Sequence, residues 1–302
     1  MLDILSRAGC FVAIIVLGFV LRRIGFFNEH AFPMLSKIVI RITLPASVVV
    51  GFSQKQLEPS LLSLAAMGIA VGGLLMLLGY LANCRRGKQA GAFGLLNTTG
   101  YNIGCFAMPF VQSFLAPIGI VATSIFDTSN AMICLGGAFG VAASVQEGHG
   151  LNLRRIGKAL IRSVPFLTYV TMLILSMAKI RLPSPVLSLA ETISGGNAFL
   201  AMLMIGVGIR LEADRTKIGQ ILKVLAIRNG VAAVLSLAVW FLLPFELAVK
   251  QALVILLFSP IASAAPAYTG ELNNDVGLAS TINSASILCS IVIILVLLLV
   301  ML

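Results

Sequence analysis

Two stretches of this 302-residue sequence combine helix-breaking residues with small polar ones inside otherwise apolar runs. The first is Gly100-Tyr101-Asn102-Ile103-Gly104, followed by Pro109; the second is Pro260-Ile261-Ala262-Ser263-Ala264-Ala265-Pro266. A helix broken within hydrocarbon leaves backbone polar groups unpaired at several kcal/mol each, so a break survives only where it is buried in protein or lines a wet cavity. It also creates half-helix ends, where free N–H groups favour anions and free carbonyls favour cations. Gly104, Pro109, Pro260 and Pro266 are the candidate helix breaks, and the chemistry they indicate is non-covalent binding of a small anion. Simple proline kinks in lipid-facing helices are the alternative. The matching positions of the two breaks favour a site.

Polar residues gather in the same segments: Asn97, Thr98, Thr99 and Asn102, then Thr123 to Asn130, then Ser259, Ser263 and Thr269, and last Ser280 to Ser286. Each Ser or Thr alone is more often satisfied by its own helix carbonyls, so the signal lies in the concentration. The candidate substrate-binding residues are Asn102, Tyr101, Ser263, Ala264, Thr281 and Asn283. Asp127 and Asn130 are candidates for ion coupling. Asp127 falls about nine residues into its apolar run, roughly 13 Å along a helix rising 1.5 Å per residue, near the middle of a bilayer. A carboxyl there suits a proton carrier or a cation ligand; the competing reading is a neutral acid hydrogen-bonded to neighbouring Thr, Ser or Asn.

The elements that must position these residues follow from composition. Charged residues make up 11% of the chain and apolar residues 59%, against about 25% charged in an ordinary soluble protein. A soluble fold is excluded, and long unbroken runs such as Ile287–Leu302 exclude the alternation of a β-barrel. Hydropathy predicts ten transmembrane spans near 4–21, 35–53, 60–82, 91–114, 118–143, 159–178, 184–209, 221–244, 249–270 and 277–301. The first is read as a transmembrane helix, since no basic segment precedes its apolar run. With both termini outside, 16 basic residues lie at the inner face, Arg22, Arg85, Arg154, Arg210 and Arg215 among them, and Arg7, Lys55, Lys179, Arg181 and Lys250 lie outside. The positive-inside bias favours that orientation. Arg41, Arg162 and Arg228 sit within a turn or two of the inner face and are expected to snorkel, with Arg41 alternatively attracting an anion; Glu191 is expected to reach outer water.

The net charge of +10 reports topology and does not indicate nucleic acid. Five dispersed cysteines lack any C-x-x-C spacing, so neither disulfide nor metal site is indicated. His30 and His149 fall in loops, and no P-loop, zinc-protease or serine-hydrolase motif is present, so no enzymatic activity and no cofactor is expected beyond a possible coupling H+ or Na+. Pro109 to Gly119 spans 10 residues and Pro266 to Gly277 spans 11, each glycine followed four residues later by a threonine, Thr123 or Thr281. Such register points to two halves, 1–150 and 151–302. Five spans in each make the copies run in opposite senses, as an inverted repeat requires.

At these residues the chain resembles the auxin efflux carrier family, which includes plant auxin exporters and bacterial permeases for malate and malonate. The similarity rests on Leu17-Gly18-Phe19-Val20-Leu21-Arg22-Arg23-Ile24-Gly25-Phe26, on Leu35-Ser36-Lys37 and Leu44-Pro45-Ala46, on Asn102 through Pro109, and on Pro266 through Thr281. Gln146–Arg155 is short where the long plant exporters carry a large loop, so the bacterial members are the nearer comparison. Tyr101 stands where plant members usually have proline, which bears on pocket shape. The resemblance implies an all-α membrane fold shared with bile-acid symporters and sodium–proton antiporters. In it, scaffold helices 1, 2, 6 and 7 carry a mobile unit of helices 3–5 and 8–10, with broken helices 4 and 9 crossing at the substrate. It further implies elevator-type transport of a small organic anion, a mono- or dicarboxylate, in the bacterial cytoplasmic (inner) membrane, by a homodimer joined through the scaffold. Sodium-coupled uptake of a larger amphipathic anion and a non-transporting membrane sensor are the alternatives.

Overall fold

The computed structural model describes residues 2–28, 30–54, 59–148, 153–209 and 217–302. Lys55, His149, Arg210 and Arg215, and the 149–152 part of the short Gln146–Arg155 connection, lie outside the described residues. The described chain is helical throughout, with no strand among the described residues. In order the helices are α1 (Leu2–Arg23), α2 (Ala31–Gln54), α3 (Ser63–Leu81), α4 (Lys88–Thr98), α5 (Met108–Phe114) and α6 (Pro117–Glu147). There follow α7 (Leu153–Arg162), α8 (Val164–Met177), α9 (Ser184–Gly208), α10 (Ile218–Leu242), α11 (Leu247–Leu257), α12 (Ala265–Glu271) and α13 (Val276–Met301).

Among the described residues six helices are long and apolar enough to cross a membrane, and a seventh span results if the bent pair α7–α8 counts as one. The 19 residues of α3 contain no charge, and at 1.5 Å each they reach about 28 Å, the thickness of the hydrocarbon layer. At 91–114 and again at 249–270, the two spans expected to be broken, non-helical backbone interrupts the helix. The bend of 78° between α7 and α8 falls at Ser163, whose hydroxyl accepts from Phe166 N–H at 3.4 Å. Pro165 in the first turn of α8 completes a helix start, so α8 begins afresh and does not continue α7.

Packing follows membrane rules. A Cβ on Gly18 of α1 would lie 2.4 Å from Leu203 O of α9, and one on Gly206 would lie 2.0 Å from Ile15 O, so these backbones touch only because both residues lack side chains. Helix α1 packs chiefly on α9, and α2 on α8 and the first half of α9. Helix α3 packs on α4 and α6, α4 on the end of α6, α11 on α6 and α10, and α12 on α13. Phe106, Phe110 and Phe126, all fully buried, form the centre where α5 and α6 meet, with Phe106 and Phe110 ring centroids 5.4 Å apart.

Candidate functional site

The two interruptions lie side by side. Helix α4 stops at Thr98; Thr99 is extended, Gly100 takes φ +75°, and Asn102 sits at φ −84°, ψ 69° before helical backbone resumes at Ile103. Only glycine adopts the Gly100 conformation without strain. Helix α11 stops at Leu257, and the segment from Phe258 to Ala264 leads to α12. The Asn102 amide N–H donates to the Pro260 carbonyl at 2.9 Å, and Asn102 Nδ2 donates to Ser263 Oγ at 3.0 Å. Asn283 of α13 donates to Ile261 O at 3.1 Å, and Ser286 Oγ accepts from Ile261 N–H at 3.2 Å. Between helices, Asn97 Nδ2 donates to Thr269 Oγ1 at 3.1 Å. Polar groups exposed by the breaks are thus paired across the crossing, as burial demands.

Of the expected helix breaks, Pro260 is inside the non-helical segment and supplies the carbonyl just described. Pro109 lies inside the resumed helix, directly after the π-helical turn Ile103–Ala107. Pro266 occupies the first turn of α12, where the missing N–H of a proline has no partner and its fixed φ suits the helix start. Gly104 also lies past the break. It is a packing residue, since a Cβ would meet Leu44 Cδ2 at 2.6 Å.

A cavity of about 280 Å³ runs from this crossing to the α1–α2 connection. Its polar lining is Arg22, Asn28, Ser263, Ser280, Asn283 and Ser284, with no carboxylate among the described residues. The Arg22 guanidinium donates to Val207 O and Ile209 O, both at 3.0 Å, which seats a positive charge at the end of α9. Ser263 and Asn283, both expected, line this space, and Asn102 borders it through its bond to Ser263. Ala264 adjoins Ser263 as the residue preceding α12, and Thr281 bonds Gly277 O of its own helix at 2.9 Å; neither lines the cavity. Tyr101 does not line it either. Its ring is 4% exposed and lies under the Arg228 guanidinium, 4.8 Å from Cζ to the ring centroid.

Asp127 and Asn130 face each other one turn apart on α6. Asn130 Nδ2 donates to Asp127 Oδ1 at 2.8 Å and to Tyr101 O at 2.9 Å. Its Oδ1 accepts from Tyr101 N–H at 3.0 Å. The Tyr169 hydroxyl of α8 donates to Asp127 Oδ2 at 2.6 Å. The carboxyl is therefore held between α6 and α8 by Asn130 and Tyr169.

Arg228 corrects an expectation. It does not snorkel: it is 5% exposed, with Nη1 donating to Thr98 O at 2.6 Å and Gly100 O at 2.9 Å, and Nη2 donating to Ser259 O at 2.9 Å. Arg41, Arg162 and Glu191 lie on the protein surface. Sequence reasoning also missed Arg22, Tyr169 and an amide chain in which Asn197 accepts from Thr43 at 2.8 Å and donates to Gln112 at 3.2 Å. Intramembrane Gln112 and Asn197 were a readable signal, since such amides require partners.

No curated protein matches the chain. With several apolar helices long enough to cross a bilayer, it is a multi-pass membrane protein. Residues 10–149 match the family described as membrane transport protein, the auxin efflux carrier family, a family of membrane transporters.

Proposed function

We propose that this protein is a secondary transporter of a small organic anion, a mono- or dicarboxylate, which binds where the interrupted α4–α5 and α11–α12 segments cross. The observation that carries this reading is the cavity at that crossing, whose described lining holds an arginine and several neutral donors without a carboxylate. Asparagine and serine donors orient a carboxylate, and no carboxylate in the described lining opposes it.

The transport cycle proposed is an elevator. The ten expected segments form a 5+5 inverted repeat, supported by the matched lengths of the helices that precede the two breaks, α4 and α11, with 11 residues each. Helices α1, α2, α8 and α9 would be the scaffold, and α3–α6 with α10–α13 the moving unit; the strong pairing of α1 with α9 and of α2 with α8 supports this division. With both termini outside a bacterial cytoplasmic membrane, Arg22 lies at the inner face and the cavity opens inward. Dimerisation is proposed through the scaffold. The test is uptake and counterflow of labelled acetate, succinate, malate and malonate in proteoliposomes, with thermal shift on the purified protein as a binding readout. Saturable flux of at least one acid supports the reading; no flux and no stabilisation by any of them refutes it.

A further inference from the structure

The geometry points to Arg228 as a resident cation that fills the carbonyl cage at the crossing and so permits an anion to bind beside it without a co-bound alkali ion. This rests on the anion reading above and adds to it a positioning residue with an electrostatic consequence.

Each of α4 and α11 has 11 residues and ends inside the protein. A helix C-terminus carries an equivalent of about −0.5 charge together with unpaired carbonyls, so two of them converging bring about −1 to the crossing. Carbonyl groups from unwound helix ends are what a carrier can use to hold a coupling cation. Here the cage is occupied by protein. A single guanidinium takes Thr98 O and Gly100 O from one interruption and Ser259 O from the other. Its planar fork suits three separated acceptors in a way that an ammonium does not. The flat Tyr101 ring closes one side.

No carboxylate pairs with Arg228 among the described residues. Asp127, the carboxylate of α6, is instead bonded to Asn130 and Tyr169. Arg228 is therefore balanced by the two helix ends and not by an acid. The helices that resume at Ile103 and Ala265 bring N-terminal ends of opposite sign to the same crossing, and the +1 of Arg228 offsets the negative C-terminal ends locally, so that their carbonyls do not face the cavity side uncompensated. Without that charge the helix ends would repel a carboxylate at Asn102 and Ser263, and binding would require a metal cation first. Cation-coupled carriers can use that requirement as their switch; in this chain the switch is held on by a side chain.

The experiment uses the full-length protein in nanodiscs, titrated with the best-bound acid of the four above, in NaCl and in N-methylglucamine chloride. Thermal stability without acid is recorded in the same two salts. For the wild type, affinity is expected to agree within about twofold between salts, with no sodium-dependent stabilisation. Arg228→Lys retains the charge with a poorer fit, and is expected to bind acid within about tenfold of wild type, again without sodium dependence. Arg228→Gln removes the charge, and is expected to lose more than tenfold in affinity in N-methylglucamine, with sodium raising its melting temperature and restoring part of the affinity. A wild type that requires sodium overturns the proposal while the transport reading stands. So does an Arg228→Gln protein that binds acid normally in N-methylglucamine. If Arg228→Gln fails to fold, the wild-type and Arg228→Lys arms still decide. Failure of every acid to bind wild type in either salt refutes the anion reading, and the acid-free melting curves then test the cage separately.

Discussion

Asn102→Ala separates binding from folding. The side chain makes one hydrogen bond, Nδ2 to Ser263 Oγ at 3.0 Å, while its backbone N–H remains bonded to Pro260 O at 2.9 Å. Losing one neutral side-chain bond costs about 0.5–1.5 kcal/mol of stability. The three carbonyl bonds of Arg228 and the Asn283 bond to Ile261 O are untouched, so the crossing survives. Binding is affected more. An amide donating to a charged carboxylate is worth about 1.5–3 kcal/mol, which corresponds to a loss of about 10- to 150-fold in affinity. Calorimetric titration of the best-bound acid, beside a melting curve, measures both quantities. Ser263→Ala should weaken binding by a similar or smaller factor, and the double mutant should lose less than the sum, because the two side chains share a bond. Unchanged affinity in well-folded Asn102→Ala would refute the placement of the acid at this crossing.

Three further outcomes are expected. Asp127→Asn keeps the shape and the Tyr169 and Asn130 neighbours while fixing the charge at zero, so substrate binding should persist while the pH or cation dependence of transport flattens; a wild-type profile at undiminished rate would make Asp127 structural. For topology, Cys substituted for Ser184 in a cysteine-free background should react with an impermeant reagent on intact cells and Cys substituted for Lys88 should not; the reverse pattern inverts the orientation. Lys88 is preferred to Gly87 as the probe because Gly87 has φ +106°, which a cysteine would strain. At the α12–α13 turn, Lys217 Nζ donates to Asp275 at 2.5 Å and Asp275 Oδ1 accepts from Leu278 N–H at 2.9 Å. These bonds, the lysine's first, hold the exposed carboxyl below its ordinary value. A depressed folded pKa gives stability that is present above the unfolded value and lost as pH falls through the folded one, so wild type should exceed Asp275→Asn by less than about 1 kcal/mol above about pH 4, and the two melting curves should converge as pH falls further. An equal acid response would remove the pair from the stability of this turn.

The positions of the helices were legible because apolar runs of hydrocarbon length have one stable backbone solution in a bilayer. Their interruptions were legible only in outline. Prolines mark where a helix cannot continue from behind, and the same property makes them good first residues, so Pro266 announced a restart, whereas Pro109 sits behind the π-helical turn that follows the first break; the breaks lie at Thr99–Asn102 and Phe258–Ala264. Gly104 looked like a breaker and is a contact surface for Leu44. Asn102, Ser263 and Asn283 lie at the crossing, where small polar side chains pair with one another and with the interrupted backbone. Arg228 was misread because a basic residue near a span end reads as an interfacial anchor. Helix α10 begins at Ile218, which puts Arg228 ten residues in, about 15 Å deep, beyond easy reach of water. Its acceptors lie 130, 128 and 31 residues away in sequence, and no local pattern encodes that convergence.

The same convergence explains why the two buried charges do not simply join. A direct Asp127–Arg228 pair would have to repay the desolvation of both ions by their own attraction. It would also leave the carbonyls of Thr98, Gly100 and Ser259 without the donor that now serves them. Instead Asn130 stands between, bonded to Asp127 on one side and to both backbone groups of Tyr101 on the other, and the Tyr101 ring lies beneath Arg228. The result is a continuous chain from carboxyl to guanidinium through neutral groups, in which Arg228 is fixed by two helix ends and Asp127 is tied by Tyr169 to a helix of the proposed scaffold. Fixing one charge within the moving unit and tethering the other across its boundary gives them different tasks. In the proposed elevator the arginine would serve binding in every state, whereas the carboxyl would change partners as α6 moved past α8, and only a group that changes partners can couple its own protonation or cation binding to movement.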